Sequence, residues 1–283
     1  MNIKDLRTNF LNSLSGIYDT EEVLSFFYLL SESFLGMRRV EVAINLEKTL
    51  SEIEITGFRD AIKRLEKQEP IQYIIGQTNF FGLDFKVTPH VLIPRPETEE
   101  LVDWIINDQS NAKKQIRILD IGTGSGCIAV TLAKNLPEAQ VYAIDISEKA
   151  LQVAKRNAEK NQVKVTCIHA DILKIDDLPQ SFDVIVSNPP YVRELEKREM
   201  KPNVLNNEPS QALFVEDDNP LVFYKKITEL AKKSLNSEGS LYFEINQYLG
   251  SETQYMIETS GFTSVILRKD LNENNRMIRA RIN

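Results

Sequence analysis

The length of 283 residues predicts two domains rather than one. Hydrophobic residues make up 42% of the chain, yet no run approaches about 20 apolar residues and no basic region precedes an apolar one at the N-terminus, so neither a membrane span nor a signal peptide is expected. The formal net charge of −7 favours a protein or small-molecule substrate, because proteins that hold nucleic acid need basic surface to neutralise phosphates.

Residues 1–70 are predicted to form a small all-helical domain. Apolar side chains recur there at helical spacing, and Asp19 and Ser51 precede acidic residues in the way typical of helix N-termini. Pro70 is expected to end the last of these helices. No catalytic constellation occurs in this segment, so a domain that recognises a partner and a purely structural cap are both open interpretations.

Residues 71–98 change to short apolar, aromatic and β-branched runs, which predict a β-hairpin linker. The linker closes with the segment Pro94–Thr98. The prolines of this segment are expected to stiffen the linker, and the acidic residues from Glu97 onwards are expected to form the first turn of a following helix.

From Gln115 onwards, strand-like and helix-like patterns alternate. The predicted helices span residues 127–135 and 148–161, and the predicted strands are Ile116–Ile121, Val141–Asp145, Val163–His169, Val184–Ser187, Ser240–Ile245, Thr263–Leu267 and Arg276–Ile282. Apolar strands that alternate with helices predict an α/β domain whose mostly parallel, doubly wound sheet is covered on both faces.

A glycine-rich loop follows the first of these strands and contains Gly122, Thr123, Gly124, Ser125 and Gly126. Glycines permit backbone angles barred to other residues and let a ligand approach the main chain closely. Asp145 ends the next strand, 19 residues after Gly126, at a position where an acid accepts hydrogen bonds from the ribose hydroxyls of nucleoside cofactors. A tight turn without a ligand is the alternative interpretation.

The spacing Gly-x-Gly-x-Gly differs from the dinucleotide fingerprint and resembles class I methyltransferases. This resemblance implies that Asp171, after the third strand, holds the adenine amino group of the cofactor, and that Ile172 packs against adenine with an aliphatic side chain where some relatives have an aromatic one. A helix N-cap or a loop acid is the alternative role for Asp171.

Asn188-Pro189-Pro190-Tyr191 follows the fourth strand, at the sheet edge where ligands bind. An amide or arylamine nitrogen shares its lone pair with a π system, so it reacts only when it is held and made more tetrahedral. The side-chain oxygen of Asn188 and the carbonyl of Pro189 can accept from its two N–H groups, and Tyr191 offers a flat face for stacking. The motif predicts methylation of a planar NH2 nitrogen, and a rigid proline turn is the alternative.

The predicted chemistry needs neither a nucleophilic side chain nor a metal. Methyl transfer by direct in-line attack depends on positioning and charge complementarity, and no general base stands out. Cys127 and Cys167 lie in apolar runs and are expected to be small buried side chains in a reducing compartment, which indicates a cytoplasmic protein. Together with two scattered histidines they do not form a zinc-binding pattern.

Four motifs in this order resemble the peptide chain release factor N5-glutamine methyltransferases: Ile93–Glu99, Asp120–Gly126, Asn188–Tyr191 and Asn207-Glu208-Pro209. The resemblance runs from about residue 70 to the C-terminus. It implies a helical substrate-docking domain (1–70), a hairpin linker (71–98) and a seven-stranded S-adenosylmethionine-dependent methyltransferase domain (99–283).

The resemblance also implies the partners of the site. The glycine loop, Asp145, Asp171, Ile172 and Asn188 would contact S-adenosylmethionine, whose product is S-adenosylhomocysteine. The residues that would bind the substrate glutamine are Arg95, Glu97, Asn188, Pro189, Pro190 and Tyr191, with Asn188, Pro189 and Tyr191 as the catalytic set. The implied partner is a class I release factor bound by a monomer, with no nucleic acid and no membrane, and the activity would modulate translation termination.

Two other functions are weighed against this one. A nucleic-acid amino methyltransferase would use the same four-residue motif on adenine or cytosine and predicts a basic channel with base-stacking aromatics. A non-catalytic cofactor-binding or scaffold protein predicts a damaged motif, whereas Asn188 and the three loop glycines are intact.

Two further features of the sequence bear on the site. Asn246 stands after the fifth strand where members of the family commonly have glycine. The polar segment from Arg193 to Gln211 is long for a connection, which is typical of a lid or a binding loop, and a disordered surface loop is the alternative.

Overall fold

A computed structural model describes residues 1–110 and 115–282, which divide into two compact units. The first unit contains Met1–Gly76 and Lys201–Asn207, and the second contains Gln77–Met200 and Glu208–Asn283. The division that the sequence predicted, at residues 70 and 98, stays a prediction.

The first unit is helical. Its first five helices are α1 (Ile3–Leu14), α2 (Thr20–Leu35), α3 (Arg39–Ile44), α4 (Glu52–Leu65) and α5 (Ile71–Ile75). The predicted helix starts at Asp19 and Ser51 are confirmed, because each side chain accepts a hydrogen bond from the backbone N–H three residues later. Phe10, Phe27 and Phe58 pack against one another with ring centroids 5.5–6.3 Å apart and form the centre of this unit's core.

The expectation that Pro70 ends a helix is wrong. Helix α4 ends at Leu65. Pro70 instead precedes α5, so Tyr73, Ile74 and Ile75 at the start of the predicted linker are helical and not extended. The fixed φ of proline suits the start of a helix, and Gly76 ends α5 with a left-handed φ of 79°. The Arg64 guanidinium donates to the Tyr73 carbonyl at 3.2 Å, a tertiary contact that hydrophobic periodicity does not reveal.

The second unit opens with the predicted hairpin, formed by β1 (Gln77–Phe80) and β2 (Leu83–Lys86) as an antiparallel pair. Phe81 and Gly82 connect the strands with φ values of 51° and 73°, the positive values that a tight hairpin turn requires. Helix α6 (Pro96–Gln109) then begins with a proline and carries Glu97 and Glu99 in its first turn, as expected.

The remaining elements are, in chain order, β3 (Arg117–Ile121), α7 (Cys127–Asn135), β4 (Gln140–Asp145), α8 (Glu148–Lys160), β5 (Val165–His169), β6 (Phe182–Ser187), β7 (Val192–Arg193), α9 (Pro202–Asn207), α10 (Ser210–Leu213), β8 (Phe214–Val215), α11 (Val222–Ser234), β9 (Leu235–Glu244), α12 (Gly250–Thr259), β10 (Thr263–Lys269) and β11 (Asn275–Arg281). Both predicted helices and all seven predicted strands are present, with ends that differ by a few residues at most positions.

In the described part of the chain, seven strands form one sheet in the order β10-β11-β9-β6-β3-β4-β5. Strand β11 is antiparallel to both of its neighbours, and the other neighbouring pairs are parallel, so the predicted mostly parallel sheet is confirmed. The chain runs outward from β3 to β4 and β5 and returns to β6 on the other side of β3. This reversal opens a crevice at the carboxyl ends of β3 and β6, where ligands bind in such sheets.

Helices cover both faces of the sheet. Alternate side chains of β6 point in opposite directions, so Val184 joins an apolar cluster with α6 and α7, whereas Ile185 joins a second cluster with α11 and α12. Among the residues described, no helix combines the length and apolar character needed to cross a membrane.

The segment from Arg193 to Gln211 has regular structure, so the alternative of a disordered loop is wrong. A 3-10 helix (Glu194–Glu199), α9 and α10 follow one another, and β7 before them pairs in parallel with β8 after them. Glu196 orders the start of this segment, because it accepts hydrogen bonds from the Arg193 backbone and guanidinium at 2.8 and 2.7 Å. A role as a lid stays a prediction.

Candidate active site

A cavity of about 390 Å³ lies at the carboxyl ends of the central strands, within the usual size range of small-molecule sites. The parallel register places Ile121 opposite both Ile144 and Ser187, so the loops after β3, β4 and β6 begin at the same level. The predicted site residues that line it are Arg95, Gly122, Thr123, Gly124, Ser125, Asp145, Asp171, Ile172, Asn188, Pro189 and Pro190. The lining does not include Glu97, Gly126 or Tyr191.

The three loop glycines have positive φ values of 74°, 53° and 81°, which L side chains rarely adopt. Their surroundings differ. A Cβ on Gly122 or Gly124 would meet no protein atom within 4 Å, whereas one on Gly126 would lie 3.0 Å from the Ala154 Cβ. Gly122 and Gly124 therefore form an open cradle along the cavity, and Gly126 permits close packing of α7 on α8.

Asp145 is held by the backbone around it. One carboxylate oxygen accepts from the Gly124 N–H and the other from the Ser147 N–H, both at 2.8 Å. Burial raises the pKa of Asp145, and these N–H donors oppose the shift. The side chain thus links the glycine loop to the start of α8 and retains lone pairs for hydroxyl donors.

Asp171 has the contact of a loop acid, and its role towards adenine stays a prediction. It lines the cavity, and it also accepts a hydrogen bond from the Leu173 backbone N–H at 3.0 Å, as a loop acid does. The hydrogen bond from Lys174 lowers the pKa of Asp171. Ile172 lies beside it, 8% exposed, and contributes an apolar wall.

Asp120 lies fully buried beneath the glycine loop. Its Oδ2 accepts from the Thr123 hydroxyl at 2.6 Å, and no other described residue gives its Oδ1 a partner. Burial raises the pKa of Asp120 to about 7. Between about pH 4, where an unfolded aspartate ionises, and pH 7, the folded state therefore binds more protons, and the free energy of unfolding falls as pH rises.

We expect Asp120→Asn to remove this loss of stability. The difference in unfolding free energy between the variant and the wild type should rise by about 1 kcal/mol per pH unit between pH 5 and 7, in favour of the variant. Urea denaturation at several pH values measures it. Asp176→Asn is the control, because the Asp176 side chain is 93% exposed. A difference that does not change with pH would contradict the effect assigned to Asp120.

Asn188 follows the buried Ser187, whose hydroxyl donates to the Ile121 carbonyl at 2.7 Å and fixes the end of β6 beside β3. The Asn188 side-chain NH2 donates to the Thr98 hydroxyl at 3.3 Å. Pro189 and Pro190 continue along the cavity wall. The loop thus presents an amide side chain and two residues without N–H groups to the cavity.

Tyr191 turns away from the cavity lining. Its ring packs against the apolar cluster of α11 and α12, and its hydroxyl donates to Glu244 Oε1 at 3.0 Å. Burial raises the pKa of this hydroxyl above its ordinary value. Tyr191 therefore anchors the end of the loop, and the predicted stacking on a planar substrate group stays a prediction.

Arg95 is paired with Glu208, the central residue of the motif Asn207-Glu208-Pro209. Its guanidinium lies 2.5 Å from Glu208, whose side chain is 1% exposed and whose other oxygen accepts from the Ile93 N–H at 3.2 Å. The pair connects two of the motifs that carried the family resemblance. Arg95 lines the cavity, but Glu97, which lies half-buried on the first turn of α6, does not.

Asn246 performs a structural task that glycine would not. Its NH2 donates to the Tyr191 carbonyl at 2.9 Å and to Glu196 at 2.8 Å, while its side-chain oxygen accepts from the Tyr248 N–H. Its φ of −63° is an ordinary value for any residue, so the departure from glycine brings no backbone strain.

The two cysteines were expected to be small buried side chains; they are partly buried and pack against the apolar cluster of α6 and α7. Both are free thiols. Burial raises the pKa of Cys127 to about 12 and also raises that of Cys167, so neither supplies a thiolate at neutral pH.

Sequence reasoning missed two buried polar residues of the site, Thr98 and Glu244, which are 2% and 1% exposed. The Thr98 hydroxyl donates to Glu244 Oε2 at 2.6 Å. One signal was present in the sequence: the acid Glu244 lies in the predicted strand Ser240–Ile245 between Phe243 and Ile245, where a buried charge needs partners.

Comparisons with known proteins agree with this architecture. A family model described as a methyltransferase domain matches residues 112–280, and one described as the PrmC N-terminal domain matches residues 5–76. The chain is 52% identical over 281 residues to the release factor glutamine methyltransferase of Flavobacterium psychrophilum, covering 99% of each. It is 46% identical over 269 residues to that of Bacteroides thetaiotaomicron, covering 95% of this chain and 96% of the relative.

Among solved structures, the Thermus thermophilus 16S rRNA N2 G1207 methyltransferase in complex with AdoMet and guanosine has a similar fold, with a TM-score of 0.54. The two sequences are 18% identical, and the match covers 73% of this chain and 50% of the other. At this level of identity the likeness shows a shared fold.

Proposed function

The chain belongs to the release factor glutamine methyltransferase family, and we propose that it transfers a methyl group from S-adenosylmethionine to the side-chain amide nitrogen (N5) of the glutamine in the Gly-Gly-Gln motif of class I peptide chain release factors. One observation carries the proposal: Asn188 and Pro189, two acceptors suited to a planar NH2 group, line the same cavity as the glycine loop.

The cavity fits a nucleoside cofactor. Gly122 and Gly124 leave open space where a ligand can approach the main chain, and Asp145 at the end of β4 retains lone pairs for ribose hydroxyls. Asp171 and Ile172 would hold the adenine end through a carboxylate and an apolar contact. When bound, S-adenosylmethionine supplies an electrophilic methyl group.

The chain's own part in the reaction is to hold and orient the glutamine amide. The Asn188 side-chain oxygen accepts from one N–H of that amide and the Pro189 carbonyl accepts from the other. Two acceptors draw the nitrogen towards tetrahedral geometry and free its lone pair for attack. Positioning of this kind accounts for most of the catalysis, and the methylated nitrogen then loses a proton without a dedicated base.

The other residues predicted to bind the substrate lie in different places. Pro190 and Arg95 line the cavity, where Glu208 holds Arg95, and they would meet the release factor loop. Glu97 and Tyr191 lie outside the lining, and their contact with the substrate stays a prediction. The helical unit would dock the release factor. The substrate implies an enzyme that works in the cytoplasm and modulates translation termination, and we propose that it acts as a monomer.

A labelling experiment tests the substrate. We expect purified enzyme with methyl-labelled S-adenosylmethionine to label a class I release factor and to leave DNA and RNA unlabelled. Mass spectrometry of the labelled factor should place one methyl group on the glutamine of Gly-Gly-Gln, and a factor with that glutamine replaced is the matched control. Label on nucleic acid would favour the alternative amino methyltransferase, and label on another residue would overturn the target.

A further inference from the structure

A side-chain amide can play the proposed role of Asn188 in only one of its two orientations. With its oxygen towards the substrate it accepts from the substrate NH2 group. With its own NH2 group towards the substrate, two sets of donors face each other. Rotation about the last side-chain bond interchanges the two ends at nearly constant shape, so something outside the residue has to select the oxygen.

Three buried or partly buried polar side chains, those of Glu244, Thr98 and Asn188, are linked in series by hydrogen bonds. The Asn188 Nδ2 lies 3.3 Å from the Thr98 Oγ1, and that hydroxyl lies 2.6 Å from Glu244 Oε2. Thr98 is 2% exposed and Glu244 is 1% exposed, so water does not compete for these contacts. Thr98 comes from the first turn of α6 and Glu244 from the end of β9, so the fold itself sets the spacing.

The donors and acceptors of these hydrogen bonds are fixed in one direction, from Asn188 to Thr98 to Glu244. An ionised carboxylate only accepts, so the single proton of the Thr98 hydroxyl is committed to Glu244. The Thr98 oxygen can then only accept, and the group of Asn188 that can donate to it is the NH2. This arrangement leaves the Asn188 Oδ1 available to accept from a ligand in the cavity.

Both carboxylate oxygens of Glu244 have hydrogen-bond donors. Its Oε2 accepts from Thr98, and its Oε1 accepts from the Tyr191 hydroxyl at 3.0 Å. Burial raises the pKa of Glu244 above its ordinary value and the charge of Glu97 adds to this shift, whereas the hydrogen bonds from Thr98 and Tyr191 and the charge of Arg276 oppose it and favour the ionised form. The same carboxylate thereby holds both ends of the loop from Asn188 to Tyr191.

We propose that Thr98 and Glu244 are positioning residues for methyl transfer: the Glu244 carboxylate orients the Thr98 hydroxyl, and the hydroxyl orients the Asn188 amide so that its oxygen faces the substrate. The proposal rests on the acceptor role that the proposed function gives to Asn188.

The first test compares two substitutions of Thr98. Thr98→Ser keeps the hydroxyl and should keep kcat within about threefold, whereas Thr98→Val keeps the shape, removes the hydroxyl and should lower kcat by roughly 10- to 100-fold. KM for the release factor and affinity for S-adenosylhomocysteine should change little in either variant. Thr253→Val is the matched control for the buried substitution, because Thr253 is 0% exposed and donates to the carbonyl of Leu249, the N-cap of α12.

The second test removes the carboxylate that fixes the direction of these hydrogen bonds. In Glu244→Gln, the new amide can face Thr98 with its oxygen, as the carboxylate does, or with its NH2 group. In the second orientation the Thr98 hydroxyl is free to donate to the Asn188 oxygen, which turns the NH2 group of Asn188 towards the substrate. We expect kcat to fall, by less than in Thr98→Val. Adding Asn188→Asp should restore at least part of it, because a carboxylate presents an oxygen in either orientation, whereas Asn188→Asp alone competes with Glu244 for one proton and should be the poorer enzyme.

A readout without turnover separates this proposal from the proposed function. In 15N-labelled protein, the Asn188 side-chain NH2 protons should exchange slowly with water in the wild type and in Thr98→Ser, and rapidly in Thr98→Val. Equal exchange in all three, or equal kcat for the Ser and Val variants, would overturn the positioning role. Wild-type enzyme that methylates no release factor would overturn the proposed function instead, while the exchange comparison still decides whether Thr98 holds the amide.

Discussion

Replacing Asn188 with alanine is expected to lower kcat for release factor methylation by roughly 10²- to 10³-fold, the usual effect of removing one hydrogen-bonding group that stabilises a transition state. The side chain lines the cavity, and its NH2 group is already bound to Thr98. Removing the oxygen leaves the Pro189 carbonyl as the single remaining acceptor of the pair, so the glutamine amide is held at one N–H and stays closer to planar.

The loss should fall on turnover and not on the cofactor. Gly122, Gly124 and Asp145 line the cavity from the ends of β3 and β4, and the Asn188 side chain is bound to Thr98 and not to them, so affinity for S-adenosylhomocysteine should fall far less than kcat. Single-turnover kinetics and calorimetric titration measure the two quantities. Asn135→Ala is a suitable control, because that side chain donates to a carbonyl inside α7 and touches no part of the cavity lining. An unchanged kcat in Asn188→Ala would refute the acceptor role.

The order of strands and helices in the second unit could be predicted because each strand carries its own signal. An apolar run followed by an amphipathic helix can be recognised without reference to distant residues. The β-branched run Val184–Ser187, for example, predicts a strand from its own residues. The position of the site follows from the same pattern, since the carboxyl ends of parallel strands meet at one edge of the sheet. Asp145 and Asn188 were therefore placed correctly at the cavity from sequence alone.

The parts that escaped prediction depend on partners far away in the chain. Thr98 and Glu244 are 146 residues apart, and Arg95 and Glu208 are 113 apart, so no local pattern connects them. Helix α5 was missed for a similar reason. Its five residues are too few for periodicity to be read, and hydrogen bonds from Arg64 to its last turn help to hold it.

The conformation of individual loop residues also could not be predicted from the sequence. The sequence indicated that three glycines form a cofactor loop, but it assigned all three the same role. The structure divides them, because only Gly126 packs against Ala154, whereas Gly122 and Gly124 face open space. Substitutions of Gly124 and Gly126 should therefore have different effects, one on ligand binding and the other on the stability of the fold.

Gly124→Ala is expected to weaken cofactor binding at least tenfold while the protein stays folded. A Cβ at Gly124 meets no protein atom within 4 Å, so the fold loses only the roughly 1–2 kcal/mol that alanine costs at a φ of 53°. The added methyl group projects into space that the cofactor would use. Gly36→Ala is the matched control, because Gly36 also has a positive φ, 64°, and an open environment, but ends α2 in the helical unit and is not among the residues that line the cavity.

Gly126→Ala should show the opposite pattern. Its Cβ would lie 3.0 Å from the Ala154 Cβ and 3.1 Å from the Ala154 Cα, so strain from the positive φ adds to overpacking between two helices. We expect a loss of roughly 2–4 kcal/mol in unfolding free energy, against about 1–2 kcal/mol in the Gly36 control. Urea denaturation and calorimetric titration with S-adenosylhomocysteine measure both effects. If Gly124→Ala bound the cofactor as tightly as Gly36→Ala, the loop would be a tight turn only, and the cofactor would have to bind elsewhere.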